Sequence, residues 1–155
     1  MALVIKGMTN IRIDTLSGGL SKEDVEEINE LLQELSSNEK SIGEDDIRTV
    51  VESGVLFVAR EEKGKIVGTA SLFLISKLSG FSARVEDVIV AESHRGQGIG
   101  KQLMEAVLEY QWQKHTAPIM IELTSNPSRI AANKLYQTLG FEKYDTNVYR
   151  RSIKG

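Results

Sequence analysis

The segment with the clearest chemical potential is a glycine-rich stretch, Arg95-Gly96-Gln97-Gly98-Ile99-Gly100-Lys101. Glycine at alternate positions removes side chains, so that successive main-chain N–H groups can converge on one point. A helical pattern of apolar residues begins at Ile99, and a helix N-terminus favours an anion through its unpaired donors and its dipole. Arg95 and Lys101 add positive charge on either side. The stretch therefore predicts a site for a diphosphate.

Two common phosphate-binding patterns do not fit this stretch. A P-loop needs serine or threonine after its lysine, whereas Lys101 is followed by Gln102. The dinucleotide-binding pattern Gly-x-Gly-x-x-Gly, started at Gly96, would need glycine where the chain has Lys101. The pattern that fits is Gln/Arg-x-x-Gly-x-Gly/Ala, which the chain meets from Arg95 to Gly100.

With this pattern the chain resembles the GNAT family of N-acetyltransferases, in which the diphosphate of coenzyme A rests on such a loop. A second segment supports the resemblance, since Ala131 to Phe141 looks like a helix that ends in Tyr136 and is followed by Gly140 and Phe141. The resemblance covers most of the chain and is strongest from Val85 to Phe141. It implies acetyl-CoA as the cosubstrate, with no metal.

The resemblance also implies which residues hold acetyl-CoA. The main chain of Val88 to Val90 would pair with the pantetheine arm, and the Val90 amide would face the thioester carbonyl, where an N–H group stabilises developing negative charge. Many family members carry an asparagine seven residues before the tyrosine. This chain has Arg129 there, with Asn126 and Asn133 nearby, so the asparagine that contacts the cofactor stays open. The expected cofactor-binding residues are Val88, Ile89, Val90, Arg95, Gly96, Gln97, Gly98, Ile99, Gly100, Lys101, Asn133 and Tyr136.

Acetyl transfer to an amine also needs groups that move protons. An alkylamine, with a pKa of about 10, is protonated at neutral pH and cannot attack until a base removes a proton. Glu86 and Asp87 point to opposite faces of their predicted strand, so only one can face the cleft. Several family members carry a catalytic glutamate at the position of Glu86, which makes it the candidate base. Glu122 and a chain of water molecules are the alternatives for the base. It also stays open that Glu86 is a solvated strand carboxylate without a catalytic role.

Tyr136 is the candidate acid. The resemblance implies that it lies near the thioester sulfur, where a phenol can protonate the departing thiolate. The alternative is that Tyr136 only packs in the hydrophobic core. A binding module that holds acetyl-CoA without turnover would need the same loop, and intact Glu86 and Tyr136 favour an enzyme over such a module.

The helices and strands that position these residues are predicted from the spacing of apolar residues and from the residue types that begin and end each element. The predicted order is strand, helix, helix, three strands, helix, strand, helix, two strands, which indicates an α/β (α+β) fold with a mixed sheet. The resemblance implies a GNAT fold with six to seven strands and about four helices, and with splayed parallel strands that form the acetyl-CoA cleft. The predicted segments are a strand or strand pair in 3–16, a helix from Ser21, a helix at Glu44–Ser53, strands at Val55–Arg60, Lys65–Ser76 and Phe81–Val90, a helix from Ile99 to about His115, a strand at Pro118–Leu123, a helix at Pro127–Leu139 closed by Gly140, and strands at Phe141–Tyr144 and Val148–Ile153.

Composition excludes several other classes of protein. A length of 155 residues with 41% hydrophobic content predicts one domain, residues 1–155. A net charge of −3 argues against nucleic acid as a partner. The lack of cysteine excludes an acyl-cysteine mechanism, and two histidines without cysteine offer no metal-ligand spacing. The sequence shows neither a secretion signal nor an apolar stretch long enough to enter a membrane, so we expect a cytoplasmic protein.

The acceptor is predicted only by class. A small-molecule or peptide amine is expected, and the resemblance implies a homodimer to which the last strands contribute. The acids of Glu44-Asp45-Asp46 either draw a cationic amine into the cleft or serve the start of a helix. His94, which precedes the glycine loop, is expected to be an exposed loop residue.

Overall fold

The computed structural model describes residues 10–35, 41–110 and 119–154. The chain divides into two compact units, Met1–Thr124 and Ser125–Gly155. The helices and strands of the described residues are β1 (Arg12–Thr15), α1 (Lys22–Leu35), α2 (Glu44–Ser53), β2 (Val55–Arg60), β3 (Ile66–Lys77), β4 (Gly80–Val90), α3 (Ile99–Glu109), β5 (Met120–Glu122) and α4 (Ile130–Thr138). The predicted strand before Asn10 and the predicted helix around His115 lie outside the described residues.

The strands form one mixed sheet in the order β1-β2-β3-β4-β5. Neighbours from β1 to β4 run antiparallel, whereas β4 and β5 run parallel. The parallel pairing joins Ser82 to Met120, Ala83 to Ile121 and Arg84 to Glu122, and it ends there. The predicted mixed sheet, antiparallel early and parallel late, is confirmed.

Helices cover both faces of this sheet in the first unit. On one face α1 and α2 enclose a core of Ile28, Leu31, Ile47, Leu56, Val58, Ile66 and Ile89. On the other face α3 approaches β3 closely, since a Cβ built on Gly68 would lie 3.1 Å from Cδ1 of Leu103. The buried side of α3 consists of Ile99, Leu103, Met104 and Val107. The layered arrangement follows from the apolar stripes that the sequence places on each helix.

The start of α1, predicted at Ser21, is fixed by a capping box. The hydroxyl of Ser21 accepts a hydrogen bond from the Asp24 amide at 3.0 Å, and the Asp24 carboxylate accepts one from the Ser21 amide at 3.2 Å. The other Asp24 oxygen accepts a hydrogen bond from Arg60 at 2.8 Å. Burial alone would raise the pKa of Asp24, but the contacts with Arg60 and Ser21 outweigh it and hold the pKa below its usual value. Asp24 is therefore ionised at neutral pH and joins α1 to β2.

The turn from α2 into β2 depends on the absence of a side chain at Gly54. A Cβ built there would lie 2.4 Å from the carbonyl oxygen of Leu72 and 2.7 Å from Cδ1 of Phe73. We expect Gly54→Ala to lower the free energy of unfolding by about 1–3 kcal/mol, because main chain must move to admit the methyl group. Urea unfolding followed by circular dichroism measures this loss. Gly19→Ala is the matched control, since in the described part of the chain no atom beyond the neighbouring residues lies within 4 Å of a Cβ there. Equal losses in both variants would contradict the steric explanation.

The second unit contains α4 and the C-terminal segment. The predicted closing residue Gly140 has a φ of +87°, as expected for the residue after a helix C-terminus. The two predicted final strands, Phe141–Tyr144 and Val148–Ile153, are wrong, because residues 141–154 contain no strand. The sheet of the described residues thus has five strands rather than six to seven.

The physical reason for this error lies in what a strand needs. Alternating apolar residues form a strand only where a neighbouring strand pairs with the main chain and buries one face. In the C-terminal segment, residues 141–154, Phe141 is partly buried against Tyr136, but the other large apolar side chains are exposed. They are Tyr144, Val148, Tyr149 and Ile153.

Candidate active site

The glycine-rich stretch connects β4 to α3 through a short 3-10 turn at Glu92–His94. Gly96 and Gly98 have φ values of +77° and +78°, a left-handed conformation that favours glycine. Within residues 10–35, 41–110 and 119–154, no atom other than those of the chain neighbours lies within 4 Å of a Cβ built on either residue. The two glycines therefore border open space at the start of α3.

The main-chain amides at this helix start are available to a ligand. Gly98 is the N-cap residue of α3, and the first helical hydrogen bond runs from the Gln102 amide to the Gly98 carbonyl at 3.1 Å. No described residue accepts a hydrogen bond from the amides of Ile99, Gly100 or Lys101. These donors and the helix dipole together form a cradle for an anion.

The two basic residues of the loop also contact the protein. Arg95 donates from Nε to the Val90 carbonyl at 3.0 Å and lies 3.4 Å from the Glu34 carboxylate. Lys101 lies 3.5 Å from Glu105, one helical turn further along α3. Glu34 additionally accepts a hydrogen bond from the Glu92 amide at 2.7 Å. Glu34 thus ties the end of α1 to the loop, a role that the spacing of loop residues in the sequence did not predict.

Beyond the residues that pair with β5, the end of β4 has main-chain groups along the edge that β5 would otherwise occupy. Gly68 faces Val90 across β3 and β4, and the adjacent bond runs from the Ala91 amide to the Val67 carbonyl at 2.9 Å. This pattern marks Gly68 and Val90 as a non-hydrogen-bonded pair, so the Val90 N–H points away from β3. Because the pairing with β5 ends at Arg84, this N–H lies along an open edge of β4.

A β-bulge separates the two parts of β4. Glu86 faces Ser71 and Ile89 faces Thr69, so Asp87 and Val88 together stand opposite one residue of β3. Asp87 has a φ of +51°, and its carbonyl accepts a hydrogen bond from the Thr69 hydroxyl at 2.9 Å. The regular alternation assumed for Glu86 and Asp87 is therefore interrupted at Asp87. Its effect is that Glu86 and Ile89 share the face covered by α1 and α2.

The acidic groups near this bulge differ in their surroundings. Glu86 is half-exposed and forms an ion pair with Arg84. Burial raises the pKa of Asp87 although the residue retains contact with water, and the negative charge of Glu86 raises it further. Glu122 is exposed and faces Arg84 in the last parallel pair. Both candidate bases therefore flank Arg84, a residue that the sequence did not single out.

His94 is half-buried rather than exposed, contrary to the sequence-based expectation. Its Nε2 lies 3.3 Å from the Glu61 carboxylate, and its Nδ1 lies 2.8 Å from the Ser93 hydroxyl. Glu61 belongs to the turn between β2 and β3, so His94 attaches that turn to the start of the loop. The contacts of His94 with Ser93 and Glu61 give it a structural role at the start of the loop.

The acids at the start of α2 are used locally. Asp46 accepts a hydrogen bond from the Gly43 amide at 2.8 Å, and Glu44 pairs with Arg48 at 2.6 Å. Asp45 lies 4.0 Å from the same arginine. These contacts favour the helix-start interpretation over the attraction of a cationic amine.

The remaining candidates lie in the second unit. Tyr136 is 5% exposed and its ring packs edge-on against Phe141 at a centroid distance of 6.1 Å. Burial raises the pKa of the Tyr136 phenol, and the nearby Arg129 opposes this only in part. Tyr136 therefore keeps its proton at neutral pH.

The two asparagines contact each other. Asn133 donates from Nδ2 to the Asn126 carbonyl at 2.9 Å, while the Asn126 side chain accepts hydrogen bonds from the amide and hydroxyl of Ser128. The Asn126 side chain thus stabilises the turn before α4, and the bond from Nδ2 of Asn133 to the Asn126 carbonyl stabilises the same turn.

Two further properties concern the described residues as a whole. They contain no group of three or more His, Asp or Glu side chains that could hold a metal ion. No helix in residues 10–35, 41–110 and 119–154 has the length and apolar character needed to cross a membrane.

Comparison with known proteins identifies the fold and the family. The family model for the acetyltransferase (GNAT) domain matches residues 52–143, which is more than half of the chain. N-acetyltransferase 8B of Homo sapiens is 33% identical over 94 residues, which is 59% of this chain and 40% of the human protein. The chain therefore aligns with less than half of that relative's length.

Two solved structures share the architecture. An acetyltransferase of Trypanosoma brucei has a TM-score of 0.72 and 24% identity, with 92% of this chain and 100% of that chain covered. An aminoglycoside N-acetyltransferase in complex with CoA has a TM-score of 0.73 and 22% identity, covering 97% and 99%. The described residues thus have the α+β fold of acetyltransferases. The chain belongs to the GNAT family, whose members use acetyl-CoA.

Proposed function

We propose that this chain is an acetyl-CoA-dependent N-acetyltransferase that acetylates a primary amine of a small molecule or peptide by direct attack in a ternary complex. The single observation that carries the proposal is the cradle at the start of α3, the open space beside Gly96 and Gly98 with the unpaired amides of Ile99 to Lys101. These residues fit the diphosphate of coenzyme A, because a Cβ on either glycine would fill the space that the phosphates need. The bound cosubstrate supplies an acetyl group activated as a thioester.

The chain's own residues bind and activate the cosubstrate in four ways. The amides from Gly96 to Lys101 hold the diphosphate, and the main chain of Val88, Ile89 and Val90 holds the pantetheine arm. The Val90 N–H, which points away from β3, stabilises negative charge on the thioester oxygen, a contribution of about 3 kcal/mol in other enzymes. Asn133, the candidate in α4, uses its Nδ2 on Asn126 and has its Oδ1 for a contact with the cofactor.

Glu86 and Tyr136 move the protons. Glu86 accepts a proton from the substrate ammonium, after which the amine nitrogen bonds to the acetyl carbon and the electron pair of the C–S bond leaves on sulfur. Tyr136 gives its proton to that sulfur. The nitrogen loses two protons overall, of which one reaches solvent and the other balances the proton that Tyr136 supplies. Glu122 and a water chain are the alternatives to Glu86.

Thiol release from acetyl-CoA with a panel of amines tests the proposed function. We expect acceptor-dependent thiol with at least one class among amino sugars, polyamines, peptide N-termini, lysine side chains and small amine drugs. Tight CoA binding without acceptor-dependent thiol would instead favour a binding module. Absence of CoA binding would contradict the assignment of the loop.

Replacement of Tyr136 by phenylalanine tests its role as acid. We expect kcat to fall by about 10- to 100-fold, because a buried phenol that keeps its proton is lost, while the Kd for acetyl-CoA stays within about 2-fold. Single-turnover kinetics and calorimetry separate these two quantities. Tyr144→Phe, in an exposed position of the C-terminal segment, is the control. A large loss of acetyl-CoA affinity in Tyr136→Phe would reassign the residue to binding.

A cytoplasmic location and a homodimer complete the proposal. The dimer is supported by four exposed apolar side chains within residues 144–153, since contact with a partner subunit would remove such side chains from water. Sedimentation of the full chain measures the oligomeric state.

A further inference from the structure

Arg84 occupies a position in β4 from which it can act on the candidate base. Arg84 faces Phe73 and Glu86 faces Ser71 in uninterrupted register, so both side chains project from the same face of the sheet. The bulge begins only at Asp87. The relative orientation of the two side chains therefore follows from a regular stretch of strand.

The guanidinium of Arg84 holds two partners at once. Its Nε donates to Oε1 of Glu86, and its Nη2 donates to the Thr124 hydroxyl at 3.2 Å. The side chains of Arg84 and Glu86 are 35% and 41% exposed. An ion pair this open to water contributes little to folding stability, so its value lies in the geometry that it imposes.

Arg84 lies at the point in the sheet where β4 and β5 stop pairing. Arg84 and Glu122 form the last parallel pair of β4 and β5, and neither strand pairs with the other beyond them. Arg84 thus stands where the two strands part, and it joins Glu86 on one strand to Thr124, which follows the other. Among the described residues, Oε2 of Glu86 has no hydrogen-bond partner, which leaves that oxygen to accept a proton.

We propose that Arg84 is the positioning residue for Glu86, and that its bond to Thr124 fixes the carboxylate across the opening between β4 and β5. This inference rests on the proposed function, in which Glu86 is the base. A planar guanidinium with several N–H donors can hold both partners in a fixed relation, which lysine cannot.

Arg84→Met, Arg84→Lys and Glu86→Gln test this role in the full chain, with acetyl-CoA and an amine that supports thiol release. For Arg84→Met we expect kcat to fall by about 10- to 100-fold, as for a misplaced catalytic group, with the KM for acetyl-CoA within about 2-fold. Arg84→Lys is expected to recover part of that loss. The double variant Arg84→Met/Glu86→Gln is expected to be no slower than Glu86→Gln alone. Arg48→Met, which removes a different exposed Arg–Glu pair, is the control and should retain wild-type kcat.

An unchanged kcat in Arg84→Met would overturn the inference, and so would losses that multiply in the double variant. If no amine gives thiol release, the proposed function fails, but that result leaves the positioning role of Arg84 undecided. A crystal structure of Arg84→Met still decides the positioning role in that case. A Glu86 carboxylate displaced from its wild-type position would support the role, and an undisplaced one would overturn it.

Discussion

Gly98→Val is expected to lose acetyl-CoA binding while the chain stays folded, with Kd rising by at least about 100-fold because the side chain enters the anion site. Gly98 is the N-cap of α3 with a φ of +78°, and apart from its chain neighbours no atom of the described residues lies within 4 Å of a Cβ built on it. A Cβ at this position therefore enters open space, and we expect the valine side chain to take the room that an anion needs beside the amides of Ile99 to Lys101. Isothermal titration with CoA measures the loss.

A matched control separates this effect from backbone strain. A non-glycine residue at positive φ costs about 1–2 kcal/mol wherever it stands. Gly18 also has a positive φ, of +95°, and a Cβ built on it has no described atom within 4 Å except those of its chain neighbours, but Gly18 lies between β1 and α1. Gly18→Val should therefore lose similar stability and keep CoA affinity. A folded Gly98→Val variant with wild-type affinity would refute the loop assignment.

Glu86→Gln is expected to lower kcat by about 100-fold at neutral pH, because glutamine keeps the shape of the side chain but cannot accept the proton of the ammonium. The KM for acetyl-CoA should change little, since no role in cofactor binding is assigned to Glu86. The loss should shrink as the pH approaches the amine pKa of about 10, where the acceptor is already deprotonated. A pH–rate profile of both proteins measures this.

Glu122→Gln is the comparison variant for that experiment. Glu122 faces Arg84 from the neighbouring strand and is exposed, so it offers a carboxylate in the same region. A larger loss in Glu122→Gln than in Glu86→Gln would transfer the role of base to Glu122. Wild-type rates in both variants would favour a water chain.

Local signals in the sequence predicted much of the fold. The capping box of Ser21 and Asp24 marks the start of α1, and Gly140 marks the end of α4. Both signals act within a few residues of where they stand, which is why sequence alone reveals them. The family was predicted from the loop and the Tyr136 segment, and the match to the GNAT domain confirms it.

The features that sequence could not predict depend on contacts between distant segments. The C-terminal strands are absent although their apolar pattern is present, because pairing requires a neighbour. The β-bulge at Asp87 arises from register with β3, and nothing in Glu86-Asp87-Val88 identifies it. The contacts of Arg84 with Thr124 and of His94 with Glu61 likewise join residues far apart in the chain. The roles of the candidate site residues stay predictions until the variants are measured.

The same bulge constrains how this strand can change in evolution. Val85 and Ile89 are four positions apart, a spacing that in a regular strand would turn both toward the same helices. Here Val85 faces Leu72 on the side of α3, whereas Ile89 lies in the core beneath α1 and α2. Loss of one residue at Asp87 would remove the bulge and restore regular pairing, with Ile89 still opposite Thr69 on its present face. Natural variants of β4 that lose a residue are therefore expected to lose it between Glu86 and Val88, where the faces of the neighbouring side chains are kept.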